Sequence, residues 1–411
     1  PYEASTVARI LDLVENAAIN KSRSEAFLTR FARVYTPAVV GAALLLAVVP
    51  PLFAGGWATW LTRALNFLVV SCPCALVISV PLAFFGGIGG AGRRGVLIKG
   101  SQYVEALCRA DTVVFDKTGT LTEGVFEVTA VHPSQWDRDA VLRLAAIAER
   151  GSDHPVARSL CRAWQGEAAP ASDVREVAGM GLTAAVEGHA VAVGNEVLMA
   201  SLGVESRPCH HVGTIIHVAV DGAYAGHIVI SDRVKESARG LTAALKAKGI
   251  RRTVMLTGDR AAVAEKVAAE LGVDDWQAEL LPADKVAQVE KLTAEQGGAV
   301  LFVGDGINDA PVLMRADVGV AMGALGADAA IEAADVVLMD DDPRKLTTAL
   351  AVARKTMRVV RENVFGALGV KGGVLVLSAL GLTGMWLAVL ADVGVLILAI
   401  LNALRAGSVK G

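Results

Sequence analysis

Charge is what this 411-residue chain has least of: Asp, Glu, Lys and Arg make up 20% of it, apolar residues make up 53%, and the mean hydropathy is +0.48. That balance excludes a disordered, collagenous or coiled-coil chain and points toward a membrane protein. An excess of positive charge is also missing. The 39 Lys and Arg against 42 Asp and Glu leave a net −3, with no field to hold a phosphate backbone, so nucleic acid is not an expected partner. Five cysteines are too few for a disulfide framework, and Cys72 and Cys74 lie inside an apolar run, so reduced thiols are expected. Neither an internal repeat nor a low-complexity tract is present, and no Walker A sequence offers a phosphate loop. The chain opens Pro-Tyr-Glu-Ala-Ser, without an initiator Met or a signal-type start, and reads as the interior of something longer.

Long uncharged runs are what it does have. None of residues 34–62 is charged, and after Arg63 none is until Arg93. Each run is long enough to cross ~30 Å of hydrocarbon as a helix of ~20 residues. Pro50-Pro51 and Gly55-Gly56 punctuate the first run, and Trp57 and Trp60 stand where an interfacial belt belongs, which predicts a helical hairpin. Residues 364–404 carry only two charges, Lys371 and Asp392, and Gly-Leu-Thr-Gly at 381–384 divides them into a second hairpin. Basic residues flank both hairpins on one side (Arg23, Arg30 and Arg33; Arg93, Arg94 and Lys99; Arg354, Lys355, Arg358 and Arg361), which puts the polar stretch between them in the cytoplasm. In that stretch, strand-like runs at 112–115, 253–256 and 299–303 alternate with Ala-rich helical stretches at 261–271 and 285–295, the pattern of a parallel α/β sheet. Short alternating runs such as 214–220 mark an α+β insertion from about 125 to 230.

Asp116-Lys117-Thr118-Gly119-Thr120 follows the first strand directly. A carboxylate at the C-terminal end of a parallel strand sits where open α/β sheets bind ligands, and the turn amides beside it can receive phosphate oxygens. Asp116 is therefore a candidate nucleophile. Thr257-Gly258-Asp259 and Gly304-Asp305-Gly306-Ile307-Asn308-Asp309 follow two further strands.

These three segments resemble the phosphorylation-domain motifs of P-type ATPases, on a haloacid-dehalogenase-like fold. The resemblance covers nearly the whole chain and implies a multidomain membrane protein. It comprises two transmembrane helical hairpins and an α/β phosphorylation domain with an inserted α+β nucleotide-binding domain. The implied order begins with the end of an actuator domain and its linker (1–33), a hairpin with Cys-Pro-Cys (34–98) and the opening segment of the phosphorylation domain (99–125). The nucleotide domain (126–230), the remainder of the phosphorylation domain (231–345) and a C-terminal hairpin (346–411) follow. By the same likeness Asp116 attacks the γ-phosphate of ATP to give an aspartyl-phosphate. Mg²⁺ is held by Asp116, Asp305 and the Thr118 carbonyl, Lys285 pairs with the phosphoryl group, Thr257 hydrogen-bonds it, and Asn308 and Asp309 complete the polar shell. Soluble phosphatases of this fold often carry an Asp two residues after the nucleophile; Thr118 stands there instead, which implies a long-lived phosphoenzyme. Glu149-Arg-Gly-Ser-Asp-His154-Pro155, with Gly179-Met180-Gly181 and Gly194-Asn195, resembles the nucleotide-binding elements of the heavy-metal branch. Glu149, His154, Gly179, Gly181 and Asn195 are the implied ATP contacts.

In Cys72-Pro73-Cys74 the proline removes a backbone donor and opens the helix, so that two sulfurs and a freed carbonyl can face one point. Charges within membrane helices are costly and usually functional, which singles out Asp392 and Lys371. Two thiolates and a carboxylate carry three negative charges, which suits a divalent ion better than Cu⁺, with Lys371 as counter-charge. With Asp392-Val-Gly394, the set resembles the zinc, cadmium and lead exporters. The implied function is ATP-driven export of Zn²⁺, Cd²⁺ or Pb²⁺ across a bacterial-type inner membrane. The implied partners are ATP, the ion, membrane lipid and a missing N-terminal portion of the same pump, since no Thr-Gly-Glu actuator loop occurs. A Cu⁺ pump, a membrane-anchored phosphatase and a non-enzymatic metal sensor are the alternatives. Cys209, His210 and His211, with His217 nearby, fit no four-ligand zinc pattern and read as a surface loop.

Overall fold

The computed structural model describes residues 23–71, 74–152, 154–207, 213–295, 297–305, 309–323, 332–382 and 384–408. In chain order the first elements are the helices α1 (Arg23–Ala54), α2 (Trp57–Val70) and α3 (Cys74–Gly92), strand β1 (Val96–Ile98), α4 (Ser101–Arg109) and β2 (Ala110–Asp116). Next come β3 (Thr122–Pro133), α5 (Arg138–Glu149), α6 (Pro155–Ala163), β4 (Ser172–Val177), β5 (Gly181–Val186), β6 (His189–Gly194), α7 (Glu196–Ser201), β7 (Thr214–Val220) and β8 (Ala223–Val234). The last are α8 (Leu241–Ala247), β9 (Arg252–Leu256), α9 (Ala261–Leu271), β10 (Asp275–Gln277), α10 (Pro282–Ala294), β11 (Ala299–Gly304), α11 (Ala310–Leu313), β12 (Val318–Met322), β13 (Val336–Leu338), α12 (Lys345–Ala379) and α13 (Met385–Leu404). Contacts divide the chain into two compact units, residues 1–114 with 243–253 and 282–411, and residues 115–242 with 254–281.

The first unit holds the apolar helices. Among the described residues, three stretches, Arg33–Ala54, Trp57–Gly92 and Val389–Gly407, are long and apolar enough to cross a membrane. α1 runs through Pro50-Pro51 and stops only at Gly55-Gly56, so the prolines do not end it as their sequence position suggested. Both glycines have left-handed φ, +69° and +74°, a conformation that halts a helix and that residues with a Cβ resist. α12 and α13 form an antiparallel hairpin. Asn363 donates to the Ala399 carbonyl at 3.0 Å, Asn402 donates to Asn363 Oδ1 at 2.9 Å, and Lys371 meets Asp392, all in one register. The same unit carries the strands β1, β13, β12, β11 and, as far as Val114, β2 as neighbours in that order; β11, β12 and β13 are parallel and β1 is antiparallel to β13. β11 is buried along its whole length, as a parallel strand covered on both faces must be.

The second unit is built on a six-stranded antiparallel sheet in the order β3-β8-β7-β6-β5-β4. Leu182, Ala184 and Val186 alternate inward along β5 and meet Val141, Leu144 and Ile147 of α5 and Leu160 of α6 in one core. Asp137 starts α5 by accepting the Asp139 N–H at 3.1 Å. Glu187-Gly188 and Asp221-Gly222 close the β5–β6 and β7–β8 hairpins, with positive φ at all four residues, the geometry that matches strand twist. β9 and β10 pair in parallel in this unit, so both parallel strands and an antiparallel insertion are present, as the sequence pattern predicts. The insertion's outer strands reach slightly further than expected, from Thr122 on β3 to Val234 on β8.

Gly226 lies where β8 passes β3 at φ +152°, and a Cβ there would sit 2.5 Å from the His132 carbonyl oxygen. Gly226→Ala is expected to destabilise the sheet by about 1–3 kcal/mol. Hydrogen exchange of β3 and β8 amides should accelerate in the variant while that of α12 stays unchanged.

Candidate functional site

Asp116 closes β2 and is almost fully buried; its carboxylate accepts the Thr118 N–H at 3.1 Å. That bond fixes the carboxylate at the start of a turn in which Gly119 takes φ +74°. Lys235 holds the turn by donating to the Gly119 carbonyl at 2.7 Å, and the Thr122 hydroxyl donates to the Lys117 carbonyl at 3.0 Å. Lys117 itself is buried and pairs with two carboxylates, Asp232 at 3.5 Å and Asp259 at 2.5 Å. The Asp232 carboxylate also accepts from the Thr122 hydroxyl. Asp259 lies two residues after Thr257, whose buried side chain accepts the Asp259 N–H at 3.1 Å, so the Lys117 ammonium draws the turn after β9 toward the one after β2.

The first unit carries the other predicted phosphate-site residues. Lys285, in the first turn of α10, pairs with Asp309 at 3.2 Å. Burial pushes the Asp309 carboxyl above the usual range and Asp305 adds to the shift, while the Lys285 ammonium opposes it. Gly304 makes room for this pair, because a Cβ there would stand 2.7 Å from Asp309 Oδ2. Asp305 follows β11 directly. Asn308 lies outside the described residues.

The predicted nucleotide residues gather in the second unit around a cavity of about 590 Å³. Glu149, Ser152, His154, Glu176, Gly179, Gly181, Asn195 and Thr214 are among its walls, and its size is that of a small-molecule site. His154 precedes α6, exposed, with Nδ1 accepting the Val156 N–H at 3.3 Å. Gly179 (φ +71°) and Gly181 (φ +138°) form the turn between β4 and β5; a Cβ on Gly181 would lie 2.2 Å from the Val193 carbonyl. Asn195 secures this turn, donating to the Gly179 carbonyl at 3.0 Å and accepting the Leu198 N–H at 3.1 Å. Its amide is thus engaged with the chain, and Asn195 shapes the wall through the turn it holds.

Among the membrane-length helices, Lys371 does not reach out toward a lipid headgroup. It is buried, donates to the Asp392 carboxylate, and lies 3.4 Å from the Val70 carbonyl. Val70 ends α2, and its carbonyl faces this ammonium group. Cys74 opens α3. It is disulfide-bonded, which corrects the expectation of a reduced thiol at this residue. Cys72 lies outside the described residues, as do Cys209, His210 and His211, and among the described residues no three His, Cys, Asp or Glu cluster as a metal site. His217 is buried on β7, not on a surface loop, with Nδ1 2.9 Å from the Tyr224 hydroxyl. Cys108 and Cys161 are free thiols.

Sequence reasoning passed over Lys117, Asp232 and Asp259 as a charge cluster. Lys117 and Asp259 sat inside recognised motifs without a role, and Asp232 had no local signal, since its partner lies more than a hundred positions earlier.

The haloacid dehalogenase-like hydrolase family matches residues 110–317. A cadmium, zinc and cobalt-transporting ATPase of Bacillus subtilis (strain 168) is 52% identical over 417 residues, covering 100% of this chain and 59% of the relative. A zinc-transporting ATPase of Synechocystis sp. (strain ATCC 27184 / PCC 6803 / Kazusa) is 50% identical over 410 residues, covering 98% of this chain and 57% of the relative. The chain thus spans about three fifths of the length of these curated relatives. A crystal structure of a zinc-transporting PIB-type ATPase in an E2.Pi state superposes with a TM-score of 0.84 at 40% identity, covering 99% of this chain and 68% of that one.

Replacing Lys117 by Met leaves the buried Asp232 carboxylate without its cation, and the loss of one partner of a buried pair typically costs ~3–5 kcal/mol. The expected outcome is a second unit that unfolds at lower urea. Asp232→Asn in the same background should restore some of the loss, as a double-mutant cycle would measure.

Proposed function

Because this chain belongs to the PIB-type ATPases, we propose that it is the catalytic and ion-binding portion of a pump that exports divalent heavy-metal ions, Zn²⁺, Cd²⁺ or Pb²⁺, at the expense of ATP. The observation that carries this reading is the ion pair between the buried Lys371 and the half-buried Asp392 among helices of membrane length. A carboxylate in that setting needs a cation. Lys371 supplies one when the transported ion is gone, and the ion replaces it when Cys72, Cys74 and Asp392 close around the cargo. The cysteines act as thiolates, so loading requires them reduced.

In the catalytic half Asp116 is the nucleophile. One of its carboxylate oxygens bonds the γ-phosphorus of ATP as the bond from phosphorus to the leaving ADP oxygen breaks, giving an aspartyl-phosphate. Thr118 orients the carboxylate through its N–H, and the Thr257 hydroxyl donates to a phosphoryl oxygen. Lys285 pairs with the transferred group, and its tie to Asp309 holds the ammonium ready. Asp116, Asp305 and the Thr118 carbonyl are hard oxygen donors suited to Mg²⁺, with Asn308 and Asp309 around them; when bound, the metal neutralises charge on the transferring phosphoryl group. Glu149, His154, Gly179, Gly181 and Asn195 form the wall that takes the nucleotide. No carboxylate stands two residues after Asp116 to activate water, so the acyl-phosphate persists. The catalytic regions face the cytoplasm of a bacterial-type inner membrane that the chain crosses several times. The basic residues flanking each hairpin support this orientation. Its partners are ATP, the ion, membrane lipid and the remaining segments of the pump.

Two measurements test the reading. Asp116→Asn should abolish the acid-stable, hydroxylamine-sensitive label from γ-labelled ATP, because an amide oxygen is a poor nucleophile; equal labelling would remove Asp116 from its role. Asp392→Ala should lower Zn²⁺ and Cd²⁺ binding to the reduced, purified protein by far more than Cu⁺ binding. Unchanged Zn²⁺ stoichiometry and affinity would make the carboxylate structural and overturn the divalent assignment.

A further inference from the structure

The nucleotide cavity contains two carboxylates, and their surroundings treat them differently. Glu149 is 8% exposed, whereas Glu176 on β4 stands at the solvent side of the same cavity. Glu149 is also the last residue of α5, at the negative pole of the helix, where an anion is disfavoured. Of the groups around it, one raises the carboxyl further, one opposes, and the rest leave it uncompensated. From β4 comes the negative charge of Glu176. Cys161 on α6 is a thiol that burial and Glu149 itself push up, and so stays neutral. Ser152 hydrogen-bonds the Glu149 carboxyl and opposes the shift, as the smallest of the three influences, and His154 is occupied at Nδ1 by the Val156 N–H. Arg150, next in the chain, turns its guanidinium away onto the carbonyls of Gly166, at 2.9 Å, and Ala168, at 3.4 Å. Burial first, and Glu176 second, push the Glu149 carboxyl up to about 7.

We propose that Glu149 reads the base as a neutral carboxylic acid, its carbonyl oxygen accepting from the exocyclic amine of adenine while its O–H donates to the adjacent ring nitrogen. Glu176 is then a positioning residue that keeps the proton on Glu149. This deepens the nucleotide reading given above and rests on it. A protonated carboxyl offers one donor and one acceptor side by side, the complement of adenine's adjacent acceptor and donor. An ionised carboxylate offers acceptors only. It repels the ring nitrogen of adenine and instead matches the two neighbouring donors of guanine, N1–H and the N2 amine. The proton therefore biases the cavity toward adenine, and losing it tilts the bias toward guanine.

The test is equilibrium binding of ATP and, separately, GTP to the detergent-solubilised chain between about pH 5.5 and 8.5. The ATP-to-GTP affinity ratio is the readout, because the triphosphates titrate alike and cancel. The ratio is expected to be constant below the Glu149 transition and to fall by up to about tenfold per pH unit above it. Glu149→Gln presents a donor and an acceptor that do not titrate, and should make the ratio independent of pH. Glu176→Gln, a conservative change at an exposed position, should move the break to higher pH if Glu176 orients the proton by hydrogen bonding, and to lower pH if it acts by charge, as proposed here. A ratio that is flat in the unaltered protein while ATP binds, a pH step that survives Glu149→Gln, or a break that Glu176→Gln leaves in place or raises overturns this proposal alone. Absence of binding by either nucleotide at every pH overturns the nucleotide reading and this proposal with it.

Discussion

Three separate segments of the second unit meet at one ammonium group, Lys117 Nζ. It sits one residue from Asp116, takes Asp232 from the end of β8, and takes Asp259 from the turn after β9. The Thr122 hydroxyl closes the circuit by reaching both the Asp232 carboxylate and the Lys117 carbonyl. A buried cation tolerates neither an apolar neighbour nor a missing counter-charge. The turn that presents Asp116, the return strand of the insertion and the turn that presents Thr257 are therefore constrained together. Displacing one exposes a charge to a poorly polar interior, so the three move as a set or stay in place.

A comparable constraint acts among the apolar helices, with the opposite requirement. Under the transport reading proposed above, the charged pair there must be separable. Lys371 is bound to Asp392 and leans on the Val70 carbonyl, the contacts that an incoming cation would have to replace. The long α12 carries this lysine on the same helix that begins at Lys345, in a polar stretch of the chain, so the ammonium group rides on a rigid rod rather than on a loop.

Much of this was readable in advance where the signal is local. α9 occupies the Ala-rich stretch 261–271 and β7 the alternating run 214–220, because period alone decides such segments. α10 starts at Pro282, three residues before the expected start at Lys285, since a proline is as well suited to a first helical turn as to a loop. Pro50-Pro51 misled for the related reason that an apolar helix near its end can absorb them. The motifs marked Asp116, Thr257, Lys285 and Asp305 as candidates for phosphate chemistry. They were silent about Asp232, whose partner is brought to it by the return of the whole insertion, and about Asn195, whose amide is spent on the Gly179 turn. Glu149 was legible as a cavity residue, but its position at the end of α5 and opposite Glu176 depends on how the sheet folds.

The insertion leaves the host chain on β3 and comes back on β8, and these two strands pair with each other from Thr122 opposite Val234. A segment whose two ends emerge side by side imposes almost no geometric demand on whatever lies between them. Strands β4 to β7 and helices α5 to α7 can lengthen, shrink or be exchanged for another nucleotide-recognising module without shifting Asp116 or the turn after β9. Such a joint lets an ancestral hydrolase acquire a new recognition lobe in a single splice, and lets the lobe diversify afterwards at a pace independent of its phosphate chemistry.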